Sequence, residues 1–149
     1  MIRVMMVCYG NICRSPMAEF LLKDMVEKRG LSGKFYIASA ATSTEEIGNG
    51  VHYGTRKKLA EHGISTDGKT AVQLKKADAD KYDYFLGMET MNIRAITRIL
   101  GEENKDKIFR LLDFSDKPRD IADPWYTHNF DVTYDDILEG CEAFLKRVI

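Results

Sequence analysis

Apolar residues along this chain fall into short dense runs, and amphipathic stretches separate them. Ile2–Val7 is apolar except for Arg3, as expected of a strand covered on both faces. A helix is expected over Ser15–Arg29, with Met17, Phe20, Leu21, Met25 and Lys28 sharing one side and Gly30 as its stop. The pattern then predicts a strand over Phe35–Ser39, a polar loop from Ala40 to Gly50, and a helix over Tyr53–His62 ending at Gly63. A short helix over Ala71–Lys76, a strand over Tyr82–Met88 and a helix over Thr90–Leu100 follow. A fourth strand is expected over Lys107–Leu112, then an irregular segment from Asp113 to Asp131. The last helix is expected over Tyr134–Val148, capped by Thr133, with Ile137, Cys141, Phe144, Leu145 and Val148 at helical spacing.

Strand-like and helix-like segments alternate throughout, without repeats or linkers. The fold class that follows is α/β: one domain over residues 1–149, with a doubly wound, four-stranded parallel sheet and helices on both faces. Such sheets bind ligands at the carboxyl ends of their strands. Cys8 directly follows the first strand, the loop from Ser39 to Asn49 follows the second, and Asp123 lies beyond the fourth. All three are therefore expected at one edge.

Composition narrows the class. Hydrophobic residues make up 44% and charged ones 30%, with a net charge of −1, so no bulk field favours nucleic acid or an anionic membrane. Neither partner is expected, and the chain start reads as a strand rather than a signal peptide. Three cysteines, two of them in one loop, do not make a disulfide framework. A reducing cytoplasm is the expected location.

The chemistry concentrates in Cys8-Tyr9-Gly10-Asn11-Ile12-Cys13-Arg14-Ser15. A loop curled around a sulfur at a helix N-terminus can aim backbone N–H groups at a thiolate, and the same groups bind a tetrahedral anion. Arg14 offers a planar fork for two phosphate oxygens, and Ser15 can hydrogen-bond the sulfur. Gly10 and Asn11 tolerate the positive φ that inward-facing amides need. Pro16 suits a first helical turn. A buried cysteine beside a cap would explain one of these features but not all together. Thiolate attack on a phosphomonoester also needs a proton donor for the leaving oxygen. Asp123, in Asp123-Pro124-Trp125-Tyr126, is the candidate; Asp113, Asp116 and Asp120 are rivals without that setting.

Cys-x5-Arg-Ser near the start, with Gly-Asn-x-Cys inside it, Pro-Met-Ala-Glu after it and the late Asp-Pro-aromatic-aromatic motif, resembles the low-molecular-weight protein tyrosine phosphatases, in a bacterial form. The resemblance implies a flavodoxin-like phosphatase fold, no cofactor and no metal. It also implies hydrolysis of phosphotyrosine in proteins or peptides, releasing inorganic phosphate. It implies Cys8 as nucleophile, Arg14 as phosphate clamp and Asp123 as general acid and base. Tyr9, Gly10, Asn11, Ile12, Cys13, Ser15, Trp125 and Tyr126 would bind substrate, and Asn11, Ser15 and Ser39 would support the loop. Cys13 is implied as a reversible disulfide partner of Cys8. Two departures stand out. Glu45 occupies the place of a cleft-wall aromatic, and a loop-supporting histidine is missing near Gly68.

Two relatives of the same architecture compete. Phosphoarginine phosphatases carry threonine where this chain has Ile12, and isoleucine suits a phenyl ring better. Thiol-linked arsenate reductases need further mobile cysteines, whereas Cys141 falls on the apolar face of the last helix. A phosphate-binding module without catalysis would lack the nucleophile or the acid.

Overall fold

A computed structural model describes all 149 residues. The strands are β1 (Ile2–Cys8), β2 (Phe35–Ala41), β3 (Tyr84–Gly87) and β4 (Ile108–Arg110). They form one parallel sheet in the order β2-β1-β3-β4. The helices are α1 (Arg14–Lys28), α2 (Tyr53–Ala60), α3 (Thr90–Leu100), α4 (Pro124–Thr127) and α5 (Phe130–Val148).

β1 lies inside the sheet, and alternate residues serve opposite faces. Val4, Met6 and Cys8 pack with Met17, Leu21 and Leu22 of α1 and with Ile137, Cys141 and Phe144 of α5. Met5 and Val7 pack instead with Phe85 and with Ile96 and Leu100 of α3. The expected doubly wound arrangement with both faces covered is therefore present. The chain winds outward to β2 on one side of β1 and to β3 and β4 on the other. The crevice between β1 and β3 is thus the switch point where such sheets bind ligands.

Several expected elements are revised. The helix expected over Ala71–Lys76 is absent from residues 71–75: Gln73 bridges Ala41 in parallel, Leu74 N–H donates to the Ala41 carbonyl at 2.8 Å, and Ala41 N–H donates to the Val72 carbonyl at 2.7 Å. A 3-10 turn follows at Lys76–Asp80. The tertiary partner offered by β2 outweighs the local helical preference of this short stretch. α5 begins at Phe130 rather than Tyr134, because Asn129 caps it by accepting from Val132 N–H at 3.1 Å. β4 stops at Arg110, where Asp113 accepts from the Arg110 N–H at 2.8 Å and turns the chain. On α1, Lys28 lies outside the buried stripe, and Val26 completes it. No helix is long and apolar enough to cross a membrane.

Candidate active site

The loop from Cys8 to Arg14 joins the end of β1 to the start of α1 and curls around the Cys8 sulfur. Ser15 Oγ lies 3.0 Å from that sulfur, and the backbone N–H groups of Asn11 and Ser15 point at it from 3.3 and 3.4 Å. Such converging donors accommodate a thiolate, and the N-terminus of a fifteen-residue helix reinforces them. Asn11 is the loop residue in the left-handed region, at φ 60°. Its side chain makes that conformation stable: Nδ2 donates to Ser15 Oγ at 2.8 Å and Ser39 Oγ at 2.9 Å, and Oδ1 accepts from Val72 N–H at 3.1 Å. Gly10 does not use positive φ. It lines the pocket, where a Cβ would meet Glu46 Cγ at 3.5 Å.

The loop support goes deeper than the sequence suggested. The Ser39 hydroxyl donates a hydrogen bond to Glu19, a buried carboxylate of α1 that also pairs with Lys23. Lys69 Nζ donates to the Ser39 carbonyl at 2.9 Å and stands 3.8 Å from Glu19. Burial lowers the Lys69 pKa, while Glu19 opposes that shift. Lys69 thus enters the support network next to Gly68, where the family resemblance called for a histidine.

Arg14 is buried, and its fork is held on two sides. Glu89, just beyond β3, and the carbonyl of Ile121 at 2.8 Å both accept from Nη1, while Nη2 stands 3.4 Å from Asp123 Oδ2. Neither Glu89 nor Ile121 was legible as a site residue, since they lie 75 and 107 positions from Arg14. Glu89 does carry one signal, its position directly after a strand at the switch point.

Asp123 caps α4, accepting from Trp125 N–H at 3.0 Å. It lines the pocket over Cys8 together with Tyr9, Ile12, Cys13, Trp125 and Tyr126, in a cavity of about 140 Å3. The rival carboxyls are engaged elsewhere. Asp113 accepts from Arg110. Asp120 accepts from Thr90 and Arg110, which hold its pKa below the ordinary value against the opposing effect of burial. Asp116 lines a separate groove beside Lys117. Burial, with Cys8 close by, pushes the Cys13 thiol up to about 12, so it stays protonated beside Cys8. Cys141 is fully buried in the core.

The pocket walls are more exposed than its floor. Trp125 and Tyr126 are 52% and 78% exposed. Trp125 is braced by an edge contact to His52 at 5.7 Å, and His52 stacks on Phe130 at 5.4 Å. The His52 N–H donates to the Ile12 carbonyl at 2.8 Å, tying this wall to the cysteine loop. The sequence reading gave His52 no role. Glu45 and Glu46 close the opposite rim, and Glu45 raises the pKa of the Tyr9 hydroxyl beside it.

The family profile described as low molecular weight phosphotyrosine protein phosphatase matches residues 3–149. The Bacillus subtilis low molecular weight protein-tyrosine-phosphatase YfkJ is 42% identical over 150 residues, covering 99% of this chain and 96% of the relative. Its crystal structure superposes with a TM-score of 0.94 at 43% identity, covering 99% and 94% of the two chains. A Staphylococcus aureus protein-tyrosine-phosphatase, PtpA, is 35% identical, covering 100% of this chain and 95% of the relative. A Drosophila arginine phosphatase superposes with a TM-score of 0.90 at 30% identity, covering 98% and 97%.

Proposed function

Because the chain belongs to the low molecular weight phosphotyrosine protein phosphatase family, we propose that it hydrolyses protein phosphotyrosine through a phosphocysteine intermediate at Cys8. The observation that carries this reading is the convergence of Ser15 Oγ and two backbone N–H groups on the Cys8 sulfur, beneath a pocket that Asp123 overlooks. The Cys8 thiolate attacks phosphorus in line with the tyrosine oxygen. The P–O bond breaks, and the S–P bond forms. Asp123 gives its proton to the departing phenolate. It then takes a proton from water, which attacks the phosphocysteine, breaks the S–P bond and releases inorganic phosphate and the thiolate. Loop N–H groups and the Arg14 fork bear the charge of the equatorial oxygens. Glu89 and the Ile121 carbonyl hold that fork in plane.

Selectivity follows from depth and lining. Cys8 lies at the floor, and Ile12, Trp125 and Tyr126 offer apolar and aromatic contact to a phenyl ring. A phosphoserine, with its shorter side chain, would leave that contact unmade. One observation favours a second substrate: Glu45 and Glu46 at the rim would suit the guanidinium of phosphoarginine. We favour phosphotyrosine because Ile12 lines the pocket beside Cys8 with an apolar side chain, which suits a phenyl ring better than a guanidinium. The test is a metal-free panel of phosphotyrosine, phosphoserine and phosphoarginine peptides on wild type and Cys8→Ser. Fastest turnover on phosphotyrosine, abolished in Cys8→Ser while the phosphate analogue tungstate still binds, supports the reading. A Cys8→Ser variant that kept a sizeable share of turnover would refute the phosphocysteine.

A further inference from the structure

Outside the catalytic pocket, a second and larger hollow of about 890 Å3 opens directly from it and runs along α3. The two share Tyr9, Arg14, Glu45, Asp123 and Tyr126, so the groove is within reach of a residue that neighbours a phosphotyrosine filling the pocket. The wall of the groove is the exposed face of α3, where Met91, Arg94, Ala95 and Arg98 follow one another at helical spacing. Arg94 and Arg98 are both exposed, one turn apart, and neither pairs with a carboxylate of this chain. The acids on the floor are differently placed. Glu89 and Asp123 are both engaged with Arg14, so the charges left in the groove are Arg94 and Arg98 along α3 and one carboxylate, Glu45, at the end that the groove shares with the pocket. Away from α3 the sign reverses, because Glu45 lines both hollows where they meet and Glu46 lines the pocket beyond it.

We propose that this groove is a substrate subsite, in which Arg94 and Arg98 take up an acidic side chain flanking the phosphotyrosine on the α3 side, while Glu45 and Glu46 disfavour acids on the other side. The proposal rests on the phosphotyrosine reading above and adds a polarity to it: the preferred substrate is acidic on one flank only. Guanidinium forks bind carboxylates in a bidentate geometry, and a paired i,i+4 display lets one or two acids be held along a single extended segment. The contact is solvent-exposed, so its contribution is modest and shrinks with added salt.

The test compares phosphotyrosine peptides bearing two glutamates before, after, on both sides of, or on neither side of the phosphotyrosine. The readouts are kcat and KM at low and high salt, with 4-nitrophenyl phosphate as a small substrate that cannot reach the groove. Glutamates on one flank should raise kcat/KM by roughly 2–10-fold through KM, the range of one or two exposed ion pairs. Glutamates on the other flank should lower it, and Glu45→Gln should remove that penalty. The R94Q/R98Q double variant should lose the one-flank advantage, and R94E/R98E should transfer it to the matching lysine peptide. Both variants should keep wild-type turnover of 4-nitrophenyl phosphate, so a folding defect is read separately. Equal rates for all four peptides, or an advantage that survives in R94Q/R98Q, would overturn the subsite. Absence of 4-nitrophenyl phosphate turnover in the wild type would instead refute the phosphatase reading beneath it.

Discussion

Replacing Asp123 separates proton transfer from every other service that residue performs. Its Oδ1 caps α4, and its Oδ2 stands 3.4 Å from Arg14 on a side chain that is 23% exposed. Asparagine keeps an oxygen for the cap, so Trp125 and Tyr126 should stay in place. It gives up the partly exposed contact to Arg14, about 1 kcal/mol at most, or roughly fivefold in rate. Loss of the proton donor is much larger, about 10²–10⁴-fold, equivalent to about 2.7–5.4 kcal/mol of barrier. The two effects do not overlap, so a fall beyond 100-fold can only be proton transfer. Asp123→Ala also removes the cap, about 1 kcal/mol, which should appear in KM as a loosened aromatic wall. The assay is kcat on a series of aryl phosphates whose phenols differ in acidity. The deficit of Asp123→Asn should be greatest for the least acidic phenols and shrink for those that leave without a proton. A uniform loss of about fivefold across the series, or a larger loss in Asp120→Asn than in Asp123→Asn, would refute the assignment.

Three further outcomes are expected. Lys69→Met leaves the buried Glu19 with only its Ser39 and Lys23 partners and should lower stability by about 1–3 kcal/mol in urea unfolding. Adding Glu19→Gln should recover part of that loss, and an unchanged urea midpoint in Lys69→Met would remove Lys69 from the support network. Ile12→Thr should raise the ratio of phosphoarginine to phosphotyrosine hydrolysis, and an unaltered ratio in paired peptide assays would take Ile12 out of the specificity argument. Hydrogen bonds from Arg119 and Ser115 pull the Glu139 carboxyl down to about 2, well below the ordinary glutamate value. A carboxyl depressed by folding stabilises the fold above its unfolded value, and that contribution is lost as pH falls through the folded one. Unfolding midpoints of Glu139→Gln should therefore fall less steeply than wild type between about pH 4.5 and pH 2. Parallel slopes would contradict this, and added salt should reduce the difference because the group is partly exposed.

What the sequence determined by itself is local or periodic. Dense apolar runs alternating with amphipathic stretches require a parallel sheet covered on both faces, and that alternation puts Cys8 and the segment after β4 at one edge. The Cys-x5-Arg spacing is equally local, because a six-residue reach is what lets a loop curl back over its own first sulfur. The position of Asp123 beside Arg14 needed the fold, but its Asp-Pro-aromatic setting was visible in the chain. Only the tertiary structure decided which distant groups complete the site. Glu89 and the Ile121 carbonyl grip Arg14, Glu19 and Lys69 stand behind Ser39, and His52 braces Trp125. Apart from the place of Glu89 just after a strand, none of these carries a local signature, since a buried carboxylate and a surface one are spelled alike. Burial is a property of the packed chain. The same reason explains the misread elements. Residues 71–76 have helical character alone, but β2 offers backbone partners that a lone turn of helix cannot match. Asn129 starts α5 early because its side chain satisfies an N–H that Thr133 would have left unmet.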